Sequence, residues 1–274
     1  MRGSRNRDDY CYRHPSAESF VLCQRCGNTI CPDCQIQAPV GFQCPDCAGV
    51  KKSSGLGGLF RSGSSRSVSL GTRPTATFVL LGIILAVYLG QLLTGGFLTQ
   101  LLLYWPPLTA LEPWRMLSTM FVHSTSSVFH ILFNGYSLFI LGTLVERLIG
   151  PGRFLTLFLF SGFGGSVLVL LLSPTSAVVG ASGAIFGLFG ALFVIQRSFG
   201  GANAQLLIVL GLNLVMGFIV PGISWQAHIG GLITGAIVAN IMVKTRGEEP
   251  QRLRQGLGLV GLGLVALTVL GVVV

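Results

Sequence analysis

The sequence predicts an all-α polytopic membrane protein, with seven spanning helices preceded by a small cysteine-rich domain. Three observations carry that reading. The 274 residues are 51% hydrophobic and only 10% charged, whereas soluble domains average about 25% charged residues. The apolar residues fall in runs close to the roughly 20 residues that a spanning helix requires. Small residues repeat at helical spacing, Gly183 with Gly187 and Gly231 with Gly235. Such pairs let helix backbones approach closely in lipid and argue for a helical bundle rather than a barrel.

In chain order, residues 1–10 are polar, residues 11–47 hold all seven cysteines, and residues 51–74 form a Gly/Ser/Arg-rich stretch that reads as a flexible linker. The first long apolar run begins near Ala76, too late for a cleaved signal peptide, so it is expected to act as an uncleaved anchor. Spans are expected at about 76–94, 129–149, 154–172, 181–199, 204–220, 226–243 and 256–273. The expected domains are the cysteine-rich module at 1–50, the linker at 51–74, a helical core at 75–245, and a connection with the seventh helix at 246–274.

Charge placement orients these spans. Residues 1–75 carry ten of the 18 Lys+Arg and five of the nine Asp+Glu. A net charge of +9 in such a chain marks the cytosolic side of a membrane rather than a nucleic-acid partner. With the N-terminus inside, the cytosolic connections at 150–153, 199–204 and 244–255 are bordered by Arg147, Arg153, Arg197, Lys244, Arg246, Arg252 and Arg254. The outside connections carry only Glu112 and Arg115, both within 95–128. The positive-inside rule therefore predicts the N-terminus in the cytosol and the C-terminus outside.

Ser182 opens the fourth span and His228 opens the sixth, 46 residues later, with no charged residue near either. In this topology both lie near the outer face at similar depth. Polar groups at membrane depth usually face a bundle interior or a water-filled cavity. Serine with histidine is also the minimum set for a base-activated hydroxyl nucleophile. His130 and Asn134 stand at i, i+4 on one face of the second span, and both can donate hydrogen bonds to a developing oxyanion. The Ser182 N–H, at the start of its helix, is a third donor. Taken singly these residues are ordinary, because a buried serine back-bonds to its own helix and a His/Asn pair can glue helices together. Three polar sites on three helices at one depth point instead to hydrolysis inside the membrane. No acidic residue accompanies them, so a dyad is expected rather than a triad.

In order along the chain stand Trp114-Arg115, His130-xxx-Asn134, Gly180-Ala181-Ser182-Gly183 and His228-Ile229-Gly230-Gly231-xxx-Gly235. On these motifs the chain resembles the rhomboid family of intramembrane serine proteases over roughly residues 75–245. The resemblance implies a six-helix bundle, here followed by one C-terminal transmembrane helix, and a serine endopeptidase that cleaves transmembrane segments of substrate proteins. It implies Ser182 as nucleophile, His228 as general base and acid, and His130 and Asn134 as oxyanion donors. Gly180 matches the small residue of the serine loop, Phe186 an aromatic position that stacks on the base, and Glu146 a structural glutamate. No cofactor is implied for catalysis, and the implied partners are transmembrane substrates and the bilayer. His123 stands seven residues before His130, where many relatives have a histidine five before, and a structural outer-loop role is expected for it.

The cysteine-rich module reads Cys11-x2-His14, Cys23-x2-Cys26, Cys31-x2-Cys34 and Cys44-x2-Cys47. Eight soft ligands suit two structural zinc ions with four protein ligands each. Disulfides are the rival reading, but a cytosolic N-terminus places these thiols in a reducing compartment. The module is similar to B-box-like or RING-like fingers, which implies cross-braced pairing of Cys11, His14, Cys31 and Cys34 for one ion. Cys23, Cys26, Cys44 and Cys47 would then hold the other. Sequential pairing as two ribbons is the alternative. A cytosolic protein partner or control of the protease is the expected role, ahead of ubiquitin ligation.

Other function classes fit less well. A transporter or channel would show a carboxylate chain or an inverted repeat. The Ser182 context is not the Gly-x-Ser-x-Gly of soluble hydrolases. A non-catalytic rhomboid-like chaperone that binds transmembrane helices is the alternative, and the presence of all four active-site residues weighs against it. The expected location is a bacterial plasma membrane, with a eukaryotic organelle as the alternative.

Overall fold

The computed structural model describes residues 9–37, 42–48, 74–198, 204–220, 222–246 and 249–273. Residues 1–8 of the polar start, 51–73 of the expected linker and 199–203 of the expected fourth connection lie outside the described residues. The chain divides into two compact units, Met1–Arg66 and Ser67–Val274.

The first unit has little regular structure: a 3-10 turn at Pro32–Cys34 and two short antiparallel strands, β1 (Ile36–Gln37) and β2 (Phe42–Gln43). Its buried centre is Ile30 surrounded by Cys11, Cys23, Cys31, Cys34 and Cys44. An interior made of thiols offers too little apolar surface to hold so small a domain, which must be fastened another way.

The second unit is helical. Its elements are α1 (Thr75–Leu93), α2 (Phe97–Leu102), α3 (Arg115–Ser118), α4 (Val128–Ser137), α5 (Thr143–Ile149), α6 (Pro151–Leu172), α7 (Ser182–Ser198), α8 (Ala204–Ile219), α9 (Trp225–Lys244) and α10 (Pro250–Val273). A π-helical turn at Leu138–Gly142 joins α4 to α5, so Val128–Ile149 runs as one span. Among the described residues, five helices are long and apolar enough to cross a membrane: α1, the α4–α5 span, α6, α9 and α10. The expected fourth and fifth spans are the shorter apolar helices α7 and α8. Gly150, at φ +83°, ends α5, and Pro151 starts α6 with the fixed φ that suits a first turn.

Helices α6, α7 and α9 form the centre, and glycine determines how close they come. A Cβ at Gly231 would run into the Gly183 carbonyl, and one at Gly235 into the Gly187 carbonyl. A Cβ at Gly165 would lie 2.8 Å from the Ala227 carbonyl oxygen. Backbones this close gain dispersion contact that lipid does not supply. Helix α10 packs outside this centre, with Gly256 against Ile241 and Gly261 against Phe160. Leu264 is its one buried residue among those described.

Glu146, completely buried, fastens α1 to α5. Its Oε1 accepts from the Ala76 N–H (2.9 Å), and its Oε2 accepts from the Thr77 N–H (2.8 Å) and the Thr77 hydroxyl (2.7 Å). A carboxylate here satisfies first-turn donors that have no partner within the helix and meets the positive end of the helix dipole. Gly142 leaves room for Thr77, whose Oγ1 would otherwise lie 3.0 Å from a Cβ. Glu146→Ala is expected to cost about 2–3 kcal/mol, because it orphans buried donors that a charged acceptor now holds. Denaturant unfolding in detergent should show this loss, with Glu146→Gln retaining part of the stability.

Candidate active site

Ser182 is the first residue of α7, so its N–H is one that no preceding turn can satisfy. His228 lies in the first turn of α9, whose start is capped by the Ser224 hydroxyl accepting from the Ala227 N–H. The glycine seam between the two helices brings these starts together, and His228 Nε2 stands 3.0 Å from Ser182 Oγ. The His228 ring stacks on Phe186, with centroids 4.1 Å apart and planes inclined by 10°. Its other nitrogen, Nδ1, has no hydrogen-bond partner among the described residues. That nitrogen packs over Gly217 of α8, where a Cβ would lie 3.3 Å away. The His228 ring is therefore oriented by a ring face and a glycine, with no carboxylate at Nδ1 among the described residues.

Across from Ser182, α4 presents His130 and Asn134. The Ser124 N–H donates to His130 Nδ1 at 3.1 Å. That bond occupies the Nδ1 lone pair, so the neutral ring carries its proton on Nε2. His130 Nε2 faces Gly180, where a Cβ would lie 2.8 Å away. Asn134 is buried; its Nδ2 donates to the His130 carbonyl (2.8 Å), which leaves a second N–H proton available. His130 Nε2 thus faces the glycine that leads into Ser182, and Asn134 stands one turn further along the same face of α4 with a proton to spare. Donors of this kind suit a tetrahedral oxyanion.

The serine loop is fixed on its other side. Gly180 has φ +118°, a conformation that side chains rarely adopt, and its N–H donates to the Thr119 carbonyl at 3.0 Å. The Thr119 hydroxyl donates to the Val178 carbonyl (2.6 Å), and Tyr104 and Val178 pair as in an antiparallel bridge. Arg115 is buried and binds Glu112 and the carbonyls of Gln100 and Leu103, so it ties α3 to the end of α2. Trp114, beside it, is half-exposed. Gly183, Gly231 and Gly235 belong to the seam described above.

Four residues escaped sequence reasoning. Gln91, the sole buried polar residue in the second half of α1, clamps the His123 backbone by accepting from its N–H (3.0 Å) and donating to its carbonyl (2.8 Å). A lone glutamine in an apolar run was the available signal. Thr119 acts through its carbonyl and hydroxyl, Ser124 through its N–H and Gly217 through bare space, none of which stands out in sequence. His123 is fully buried, with its ring centroid 5.2 Å from that of His130 and both its nitrogens unpartnered among the described residues. Its ring packs beside that of His130.

In the first unit, Cys11, His14, Cys31 and Cys34 form one cluster and Cys23, Cys26, Cys44 and Cys47 another, with ligand atoms within 4.8 Å of one another. The pairing is interleaved, not sequential. His14 Nδ1 lies 3.8, 3.3 and 3.4 Å from the sulfurs of Cys11, Cys31 and Cys34. A tetrahedron with zinc bond lengths requires about 3.6 Å between N and S and about 3.8 Å between two sulfurs. The Cys26 and Cys44 sulfurs are 3.7 Å apart. Backbone N–H groups of Cys44 and Cys47 donate to the sulfurs of Cys23 and Cys44, as thiolates favour. Burial and the adjoining sulfurs of Cys11 and Cys31 push the Cys34 thiol up to about 12. Hydrogen bonds with Cys26 and Cys44 hold Cys47 at about 12 as well. Sulfurs this crowded resist full ionisation unless a cation sits among them.

Comparison with known proteins places residues 110–245 on the Rhomboid domain model. Rhomboid protease GluP of Bacillus subtilis is 35% identical over 159 residues, 56% of this chain and 31% of that protein. Putative rhomboid protease YdcA of the same organism is 34% identical over 49% of this chain and 70% of its own length. RHOMBOID-like protein 6, mitochondrial, of Arabidopsis thaliana is 35% identical over 48% of this chain and 44% of its own. The matched part thus spans about a third of GluP and under half of the plant relative.

Gly180→Ala should destabilise the chain by about 1–3 kcal/mol, from backbone strain alone. It should also push His130 away from the serine loop. Thermal unfolding in detergent reads the first effect, and a changed His130 ring signal by NMR reads the second.

Proposed function

Because the chain belongs to the rhomboid family, we propose that it is an intramembrane serine endopeptidase, cleaving transmembrane segments of substrate proteins with a Ser182–His228 dyad. The 3.0 Å approach of Ser182 Oγ to His228 Nε2 is the observation that carries this reading. His228 Nε2 takes the hydroxyl proton as Oγ bonds to the substrate carbonyl carbon, and the displaced electron pair moves onto the carbonyl oxygen. His130 Nε2–H, Asn134 Nδ2–H and the Ser182 N–H donate to that oxygen. The C–N bond then breaks as the imidazolium gives its proton to the leaving amine. Water, losing a proton to His228, releases the acyl group and regenerates Ser182. With no carboxylate at Nδ1, the transient imidazolium draws stabilisation from the Phe186 ring face, worth about 0.5–2 kcal/mol.

The protein is an integral membrane protein. The proposed orientation, N-terminus in the cytosol and C-terminus outside, rests on the arginines and lysines that border one set of connections. In that orientation Ser182 and His228 lie near the outer face, where water and an unwound substrate helix can meet. A bacterial plasma membrane is the proposed location. Relatives occur in B. subtilis and in A. thaliana alike, so they are neutral on this point. A helix-binding chaperone without catalysis has no use for a hydroxyl paired with an imidazole.

For the first unit we propose two structural zinc ions, one held by Cys11, His14, Cys31 and Cys34 and one by Cys23, Cys26, Cys44 and Cys47. Each ion would bridge two distant pairs and replace the missing apolar core. A cytosolic protein is the proposed partner of this module.

In liposomes, Ser182→Ala and His228→Ala are each expected to abolish cleavage of a single-span substrate. His130→Ala and Asn134→Ala should each lower kcat about 10²–10³-fold, with KM little changed, since these donors act mainly on the transition state. Cleavage that persists in Ser182→Ala would sink the assignment. Metal analysis should find two zinc ions per chain. Cys31→Ser and Cys26→Ser should each lose one ion and leave the other, which sequential pairing would also allow. The discriminating result is that Cys11→Ser with Cys31→Ser costs one ion, not two.

A further inference from the structure

Helix α8 is held loosely, with Leu206 and Gly217 its buried residues. At 100° per residue, Leu206, Leu210, Asn213 and Gly217 share one face. Gly217 sets that face against the proposed base, since a Cβ there would lie 3.3 Å from His228 Nδ1. Asn213 stands one turn earlier, about 6 Å further from the dyad end by helical rise. It points the same way, yet it is exposed. From Leu206 to Val220, Asn213 is the only polar side chain. Its Nδ2 donates to the Val209 carbonyl at 2.8 Å. That bond leaves the Oδ1 and a second N–H proton without a partner among the described residues. An amide with open valences in an apolar helix is costly, and polar groups kept in spans usually meet a partner.

We propose that Asn213 is a recognition residue for the substrate's transmembrane segment. It hydrogen-bonds a polar side chain, such as serine or threonine, about one helical turn deeper than the scissile bond. The proposal rests on the protease reading and adds a sequence preference to it. Continuity of the face selects the occupant: Asn213 lies about 6 Å along α8 from the Gly217 contact with His228, the rise of two extended residues or four helical ones in a chain whose carbonyl sits at Ser182. A second copy docked on the exposed side of α8, against Leu212 or Phe218, would not approach this face.

The test uses the full chain in liposomes, with Ser182→Ala blocking hydrolysis. The probes are synthetic single-span segments, all leucine below the cleavage site except for one serine placed two, three, four or five residues beyond it. Dissociation constants are read by fluorescence transfer. One serine register should bind about fivefold tighter than the all-leucine segment, the size of an interhelical hydrogen bond in lipid. Asn213→Leu should abolish that preference, Asn213→Gln should keep part of it, and Leu212→Ala should leave it intact. The proposal is overturned if no register is preferred, or if the preference survives Asn213→Leu. Binding is read without hydrolysis, so failure of the active chain to cleave any segment would count against the protease reading alone.

Discussion

Contact between the α7 and α9 backbones is the constraint on which the rest of the structure depends. Packed helices normally keep their axes 8–10 Å apart, because side chains stand between them. Here Gly183 and Gly187 meet Gly231 and Gly235, and a single Cβ at either of the latter would strike a carbonyl. The seam also sets register. Ser182 directly precedes Gly183, and His228 stands three residues before Gly231. Sliding α9 by one residue would shift His228 by about 1.5 Å and turn it by about 100°. Packing and the dyad are therefore one condition, and a sequence that satisfies the first obtains the second.

A close seam fixes two helices but not the strand of chain entering the serine. That segment is held from the loop before α4. Thr119 takes the Gly180 N–H and gives its hydroxyl to the Val178 carbonyl, and Tyr104 pairs with Val178. Gln91 holds His123, and the Ser124 N–H next to it fixes the proton of His130 on the nitrogen that faces Gly180. The loop thus positions both the segment entering Ser182, the proposed nucleophile, and the tautomer of His130. Arg115 and Glu112 keep the loop folded from below through carbonyls of α2.

Much of this was legible because the membrane makes polar residues conspicuous. Ser182, His228, His130 and Asn134 stand out in apolar runs, and the spacing of Gly183, Gly187, Gly231 and Gly235 announces a close helix pair. The four two-residue-spaced ligand pairs announced a metal-binding module, but whether they interleave depends on the path of the chain between them. Ser124 could not be read, since it acts through a backbone N–H, and Thr119, which uses its hydroxyl as well as its carbonyl, is an ordinary loop threonine by sequence. Gly217 is one glycine among 38, and its use as empty space beneath a ring appears only when α8 is placed against α9. The Leu138–Gly142 π turn has no signature in its residues either; it follows from fitting Gly142 over Thr77 while Glu146 reaches the start of α1.

Satisfied polar groups account for much of the architecture. Glu146, Gln91, Arg115, Thr119 and Ser166 are buried, and each finds acceptors or donors in backbone that would otherwise lack them. His228 Nδ1 and Asn134 Oδ1 are buried and left without partners among the described residues, and Asn213 is exposed with its amide half used. In water such omissions would be repaired by solvent. In hydrocarbon they persist at a cost, and under the proposed function the missing partner would arrive with the substrate or with the water that hydrolyses it. His123, Ser161 and Gln196 also carry buried atoms without partners among the described residues, so an open valence alone does not mark the site; the pairing of His228 with Ser182 does.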